Sequence, residues 1–262
     1  MSMFEGFADT PDARLWYWDT GGVGESVVLC HPASQSCQIW EHQRPVFAAA
    51  GYRVIAYSRR GHYRSETGAA QNGGTTVGDL SNLLDNLGLR RAHILGAAAG
   101  GITATGFAVS LPDRVLSLIL AGTIVAPAEN DWRALYDRLG IAGLRGIVPT
   151  EFLELGPTYR ATNPGGTRRF SELGEEATSR GPSRQPIGAD VRWATLEAMP
   201  VPTLLLTGEA DLYAPPPLQA LVATHIPNHR LATIPQCGHA PYWETPDTFN
   251  ALVLDFLAGA RG

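Results

Sequence analysis

Apolar residues recur in this chain in two rhythms. Short, largely apolar runs at residues 15–19, 26–30, 52–57, 92–95, 115–121, 203–207 and 230–234 predict buried strands. Between them lie stretches with helical spacing. One covers residues 39–49. Another carries Val77, Leu80, Leu83, Leu84 and Leu87, and Gly88 closes it. A third begins after Pro215-Pro216-Pro217, and Phe249, Leu252, Val253, Phe256 and Leu257 mark a final amphipathic helix. Strands alternating with helices predict a mainly parallel sheet covered on both faces. Gly21-Gly22-Val23-Gly24 lies between two strands and not at a helix start, so it predicts a hairpin turn and not a nucleotide loop.

Residues 123–200 break this rhythm. They are rich in Gly, Pro and Arg, with short helical patches at 132–139 and 169–178 and no convincing strand. A structureless loop of that length is foreign to a compact domain. The segment is therefore expected to form a mostly helical cap over the carboxyl edge of the sheet. The chain divides into an α/β core, residues 1–122 and 201–262, and the cap, residues 123–200.

Composition narrows the function classes. The 262 residues are 44% hydrophobic and 17% charged, as in an ordinary globular protein. With a net charge of −5 and no basic block, neither nucleic acid nor an anionic membrane is an expected partner. No lysine occurs, which excludes Schiff-base chemistry, covalent pyridoxal phosphate and a Walker-type phosphate loop. Cys30, Cys37 and Cys237 show no paired or metal-like spacing, which fits a reducing compartment. No signal peptide and no bilayer-spanning run is evident, so a cytoplasmic location is expected.

The candidate chemistry starts at Ala92-His93-Ile94-Leu95-Gly96-Ala97-Ala98-Ala99-Gly100-Gly101. An apolar strand enters Gly-x-x-x-Gly and leaves through small residues with helical character. That is the layout of a nucleophile elbow, which lifts one side chain above a sheet. Its glycines are needed because a Cβ at Gly96 or Gly100 would clash between strand and helix. The raised position holds Ala98, which has no nucleophilic atom. Farther along, Gly208-Glu209-Ala210-Asp211 follows one strand, and Pro235-Gln236-Cys237-Gly238-His239-Ala240-Pro241 follows the next. Asp211 and His239 thus fall on loops at the carboxyl ends of strands, where open α/β sheets gather ligands.

Elbow, acid and histidine in this order and spacing resemble the α/β-hydrolase family across nearly the whole chain. Val27-Val28-Leu29-Cys30-His31-Pro32, Tyr57-Ser58-Arg59-Arg60-Gly61-His62 and Gly238-His239 with Glu244 and Pro246 add to the likeness. The resemblance implies the α/β-hydrolase fold: a mainly parallel, eight-stranded sheet, helices on both faces and an inserted helical cap. It implies His239 as general base and Asp211 as the acid that orients it, with position 98 as the nucleophile. The oxyanion would rest on the N–H of Ala99 and on one from the turn after the first core strand. The family usually has His-Gly in that turn, whereas His31-Pro32 stands here. Proline donates no N–H, so Ala33, or alternatively Ser34, must supply the second donor.

Other polar residues read as structural. His31 and His93 fit structural roles, and His42, His62, His225 and His229 lack ligand spacing, so no metal site is expected. Cys37 reads as a packed thiol. Trp132, Tyr136 and Trp193 in the cap are candidates to line an apolar substrate pocket, with plain core packing as the alternative. No cofactor is implied; the expected partner is a small-molecule substrate, and a homodimer stays open.

Ala98 admits three readings. It is an engineered replacement of serine in an inactive variant; or the chain uses His239 and Asp211 for proton abstraction alone, as a cofactor-independent oxygenase or lyase; or it is a non-catalytic binding member of the fold. The first is preferred, because acid and base are intact and Ala99-Gly100-Gly101 resembles the Ser-x-Gly-Gly of esterases and carbon–carbon bond hydrolases. Aspartate-nucleophile relatives typically place tryptophan after the nucleophile. The expected reaction is hydrolysis of a small to medium, largely apolar carboxylic ester or lactone, with a diketone or ring-cleavage product as the alternative substrate.

Overall fold

The computed structural model describes residues 3–68, 74–177 and 185–260. Strands β1 (Phe4–Asp9), β2 (Arg14–Asp19), β3 (Ser26–Cys30), β4 (Arg53–Tyr57), β5 (Ala92–Ala97), β6 (Val115–Ala121), β7 (Thr203–Gly208) and β8 (His229–Ile234) form one sheet. Their order is β1-β2-β4-β3-β5-β6-β7-β8. From β4 to β8 all pairings are parallel, whereas β2 runs antiparallel to both β1 and β4. This is the α/β-hydrolase fold.

Successive side chains of a strand face opposite sides, and the central strands show why both sides need helices. In β3, Val28 and Cys30 enter one apolar core while Val27 and Leu29 enter the other. The first core is closed by α2 (Thr76–Asn86) and α3 (Ala99–Ser110), through Leu80, Leu83, Leu84, Ala104 and Phe107. The second lies under α1 (Arg44–Ala49) and the C-terminal helix Pro246–Gly259, through Phe47, Phe249, Val253 and Leu257.

Three expectations change. The helix expected over residues 39–49 splits into a 3-10 turn, Cys37–Glu41, and α1, which has Pro45 in its first turn. Pro45 has no N–H to continue a helix from upstream. The Gly21–Gly24 segment is not a hairpin turn. β2 pairs with β4, so this segment carries the chain past β4 to β3. Gly21 and Gly22 have φ of 66° and 106°, and a Cβ on Gly24 would lie 1.8 Å from the Gly51 carbonyl oxygen. Finally, β1 is an additional edge strand.

Between β6 and β7 the described residues form α4 (Asn130–Arg138), a 3-10 turn (Ile141–Leu144), α5 (Thr150–Glu154), α6 (Pro157–Thr162), α7 (Pro164–Ala177) and α8 (Trp193–Glu197). They contain no named strand. The helix expected at 169–178 is the second half of α7; Thr178 lies outside the described residues. Towards its end the segment packs on the start of α2 and then on the first core. The carbonyls of Pro186 and Ile187 accept from the N–H groups of Thr76 and Val77, and Val191, Leu196 and Met199 join the first core. No helix among the described residues is long and apolar enough to cross a membrane. Helices α9 (Pro216–Ala223), α10 (Pro241–Glu244) and α11 (Pro246–Gly259) complete the chain.

One close approach sets the centre of the fold. A Cβ on Gly96 would meet the Gly101 Cα at 2.5 Å, and one on Gly100 would meet the Cys30 carbonyl oxygen at 2.1 Å. Gly100→Ala is expected to lower unfolding stability by about 3 kcal/mol through overpacking against backbone that cannot move aside. Urea denaturation should show this as a lower midpoint.

Candidate active site

Ala98 joins β5 to α3 with φ 47° and ψ −116°, a conformation that costs an L residue of order 1–3 kcal/mol. Its N–H donates to the Ala121 carbonyl at 2.9 Å, and its own carbonyl accepts from Gly101 N–H at 3.0 Å. Ala99 opens α3, so its N–H is among those with no partner inside the helix.

The turn after β3 is fixed from behind. His31 Nε2 accepts from Arg59 N–H at 2.9 Å, so Nδ1 carries the proton and donates to the Pro32 carbonyl at 2.7 Å. The Arg59 guanidinium donates to the same carbonyl at 3.2 Å, and His62 Nε2 lies 3.1 Å from the Ala33 carbonyl. In a planar trans peptide the N–H points opposite the C=O. Anchoring the Pro32 and Ala33 carbonyls therefore turns the N–H groups of Ala33 and Ser34 away from His31, Arg59 and His62. His31 thus holds the backbone.

His239 and Asp211 meet. The Nδ1 of His239 lies 2.9 and 3.0 Å from the two Asp211 oxygens. A carboxylate only accepts, so Nδ1 donates and Nε2 keeps the lone pair of the neutral ring. Asp211 Oδ1 also accepts from the N–H groups of Tyr213 and Ala214, at 2.8 and 2.9 Å. Burial disfavours the imidazolium. The charge and hydrogen bond of Asp211, with the charges of Glu154 and Glu244, outweigh burial, so His239 holds its proton to higher pH than a free histidine.

Two residues missed in the sequence complete this arrangement. Gly122 follows β6 with φ 54°, and a Cβ there would lie 2.6 Å from the His239 carbonyl oxygen and 3.1 Å from Nδ1. A turn glycine after an apolar strand is the only signal for it. Glu154, at the end of α5, places its carboxyl among the buried groups and accepts from Ser34 Oγ at 2.7 Å. Its carbonyl accepts from His239 N–H at 2.9 Å. Burial pushes the Glu154 carboxyl up, with Asp211 adding to this and His239 and Ser34 opposing it. Glu244 ties loops together, because its carboxylate accepts from the N–H groups of Gly156, Gly238 and Ala240, at 2.8, 3.0 and 3.2 Å.

A cavity of about 460 Å³ opens over these groups. Ala33, Ser34, Ala98, Ala99 and His239 line it, together with Glu154, Tyr213, Arg145 and an apolar set including Ile102, Ile124 and Leu153. Asp211 lies behind His239. Trp132, Tyr136 and Trp193, considered above for the pocket, do not line it. Trp132 is buried and stacks on Tyr136, with ring centroids 5.0 Å apart. Trp193 stacks on His225 at 4.0 Å and donates to Asp131, on the far side of the segment that returns to the core. Cys37 is buried, and burial pushes its thiol up to about 12, which suits a packed residue.

The sheet order, the elbow and this acid–histidine pair define an α/β-hydrolase. The model of the alpha/beta hydrolase family matches residues 27–252, and the chain belongs to that family. Among curated relatives, the 2-hydroxy-6-oxononadienedioate/2-hydroxy-6-oxononatrienedioate hydrolase of Burkholderia vietnamiensis is 31% identical over 95% of this chain and 92% of its own. The 2-hydroxy-6-oxo-6-phenylhexa-2,4-dienoate hydrolase of Comamonas testosteroni is 29% identical over 93% and 91%. Among solved structures, an esterase from Thermogutta terrifontis superposes with a TM-score of 0.80 at 25% identity, covering 100% of both chains.

Asp211→Asn is expected to lower the titration midpoint of His239 by about one unit or more, because the carboxylate charge that favours the imidazolium is gone. The base form would then appear at lower pH than in the parent. An NMR titration of the His239 ring resonances measures the shift directly; an unchanged midpoint would rule out Asp211 as the main opposing influence.

Proposed function

We propose that this chain is the scaffold of a hydrolase for a small to medium, largely apolar carboxylic ester or lactone, with alanine in place of the nucleophilic serine at position 98. The observation that carries this reading is the His239 ring, held at Nδ1 by Asp211 and sharing one cavity with Ala98 and Ala99. A serine hydroxyl at 98 would lose its proton to Nε2 of His239 while attacking the acyl carbon. The N–H groups of Ala99 and Ala33 would hold the oxyanion, and the imidazolium would then protonate the leaving oxygen. Water would release the acid by the same steps. Val148 and Leu153, from the segment between β6 and β7, supply part of the apolar wall.

Cleavage of a carbon–carbon bond in a diketone is the second reading, and two observations favour it. The curated relatives named above are hydrolases of oxo-dienoates. Arg145, whose guanidinium lies 5.2 Å over the Tyr213 ring, also puts a cation at the cavity suited to a substrate carboxylate. The catalytic groups serve both reactions, since only the leaving group differs.

In either reaction the chain as it stands is expected to be inactive or nearly so by the acyl-enzyme route. Ala98→Ser should raise turnover of short-chain p-nitrophenyl esters or of a 2-hydroxy-6-oxo-dienoate by about a thousandfold or more, and introduce labelling by a fluorophosphonate. Stopped-time spectrophotometry and mass spectrometry of the labelled protein check this. No gain on either substrate, with no label at residue 98, would remove the serine-type reading.

A further inference from the structure

The cavity holds a second titratable group that the serine-type reaction does not use. Glu154 ends α5, whose last carbonyl accepts from His239 N–H, and its carboxyl lines the same cavity as His239 and Ala98. Its Oε2 accepts from Ser34, beside the N–H groups assigned to the substrate oxygen, and its Oε1 has no hydrogen-bond partner among the described residues. His239 likewise has only Nδ1 engaged, which leaves Nε2 without a partner among the described residues. Two proton carriers, each with one atom free of partners among the described residues, therefore line one open-sided cavity, His239 with Ala98 and Glu154 beside Ser34. Burial and the charge of Asp211 favour the protonated Glu154, a hydrogen-bond donor, against the pull of His239, the Ser34 hydroxyl and the Arg145 cation.

We propose that Glu154 is a catalytic acid that works against His239 as base, giving this chain proton-transfer activity on enolisable carbonyl compounds that needs no nucleophile at position 98. His239 Nε2 takes the α-hydrogen of the substrate as a proton. The electrons of that C–H bond form the carbon–carbon double bond, and the carbonyl π pair moves to oxygen. Glu154 then gives its proton to that oxygen. The product is the neutral enol, with imidazolium and carboxylate left behind, and solvent carries the proton from one to the other. Reversal in D2O places deuterium on the α-carbon. The proposal shares with the hydrolase reading only the role of His239 as base.

Ethyl 2-methylacetoacetate tests both readings in separate channels: α-hydrogen exchange in D2O by proton NMR, and ester cleavage by acid release. The full chain with Ala98 in place is expected to exchange the α-hydrogen well above buffer, with a rate that rises and then falls with pH. His239→Ala should abolish the enhancement. Glu154→Gln, which keeps the Ser34 contact and nearly the same volume, should slow exchange about a hundredfold and convert the bell into a single rise. Glu154→Asp should restore the falling limb. Retention of rate and bell shape in Glu154→Gln, or no exchange above buffer by the parent chain, would overturn the proposal. So would a uniform loss in Glu154→Gln with the bell intact, because that marks a structural role. Ester cleavage by Ala98→Ser without exchange by the parent sinks this proposal alone. Exchange with its Glu154-dependent limb, but no cleavage by Ala98→Ser, sinks the hydrolase reading alone.

Discussion

Backbone lies directly on backbone where α3 begins. Gly100 sits against the Cys30 carbonyl, Gly96 against Gly101, and Gly101 against the Thr123 hydroxyl, each at a spacing no Cβ could share. This contact locks the start of α3 over the carboxyl ends of β3 and β5. It forces the intervening residue into a positive φ and directs the unpaired N–H groups of a helix N-terminus into the cavity. The candidate site is built outward from there: the turn with Ala33 and Ser34 follows β3, Gly122 follows β6, and Asp211 and His239 follow β7 and β8.

The second determinant is how the inserted helices are tied to the histidine loop. Glu244 takes the N–H groups of Gly156, Gly238 and Ala240 onto one carboxylate, and the Glu154 carbonyl takes that of His239. Burial pushes the Glu244 carboxyl up, against the pull of those three donors. Here a Cβ on Gly238 would fall 2.4 Å from the Gly156 nitrogen, so the two loops touch through glycine. The end of α5 and the histidine loop consequently act as one piece. A displacement of α5 would carry the histidine backbone with it, so the wall of the cavity and His239 cannot vary independently.

Much of this is legible in the residues, and the failures have physical causes. The central strands are buried on both faces and read as continuous apolar runs. The elbow glycines and the Gly-His pair are set by close approach and by chemistry, which leave a local signature. Edge strand β1 is exposed at most of its positions, so its sequence carries no period-two burial pattern. The link from β2 to β3 looks like a hairpin because turn glycines record local dihedrals, not which strand is the neighbour. Trp132, Tyr136 and Trp193 look like pocket residues because aromatic side chains in short helices show no direction in sequence. Glu154 is invisible for the opposite reason. A glutamate ending a short helix reads as solvent-facing, and only the packing of α5 onto the His239 loop buries it.

The balance of polar groups bears on what the alanine means. Removing ionisable groups from water is unfavourable unless each is matched, and a half-matched set is worse than an apolar one. Asp211 is fully matched by two backbone N–H groups and an imidazole, with its side chain 0% exposed. The neighbouring Glu154 and His239 are only half matched, through Oε2 and Nδ1. A fold serving stability alone would be steadier with an apolar residue at 154 and a relaxed backbone at 98. Strain at a methyl-bearing residue and two half-satisfied titratable groups instead converge on one cavity.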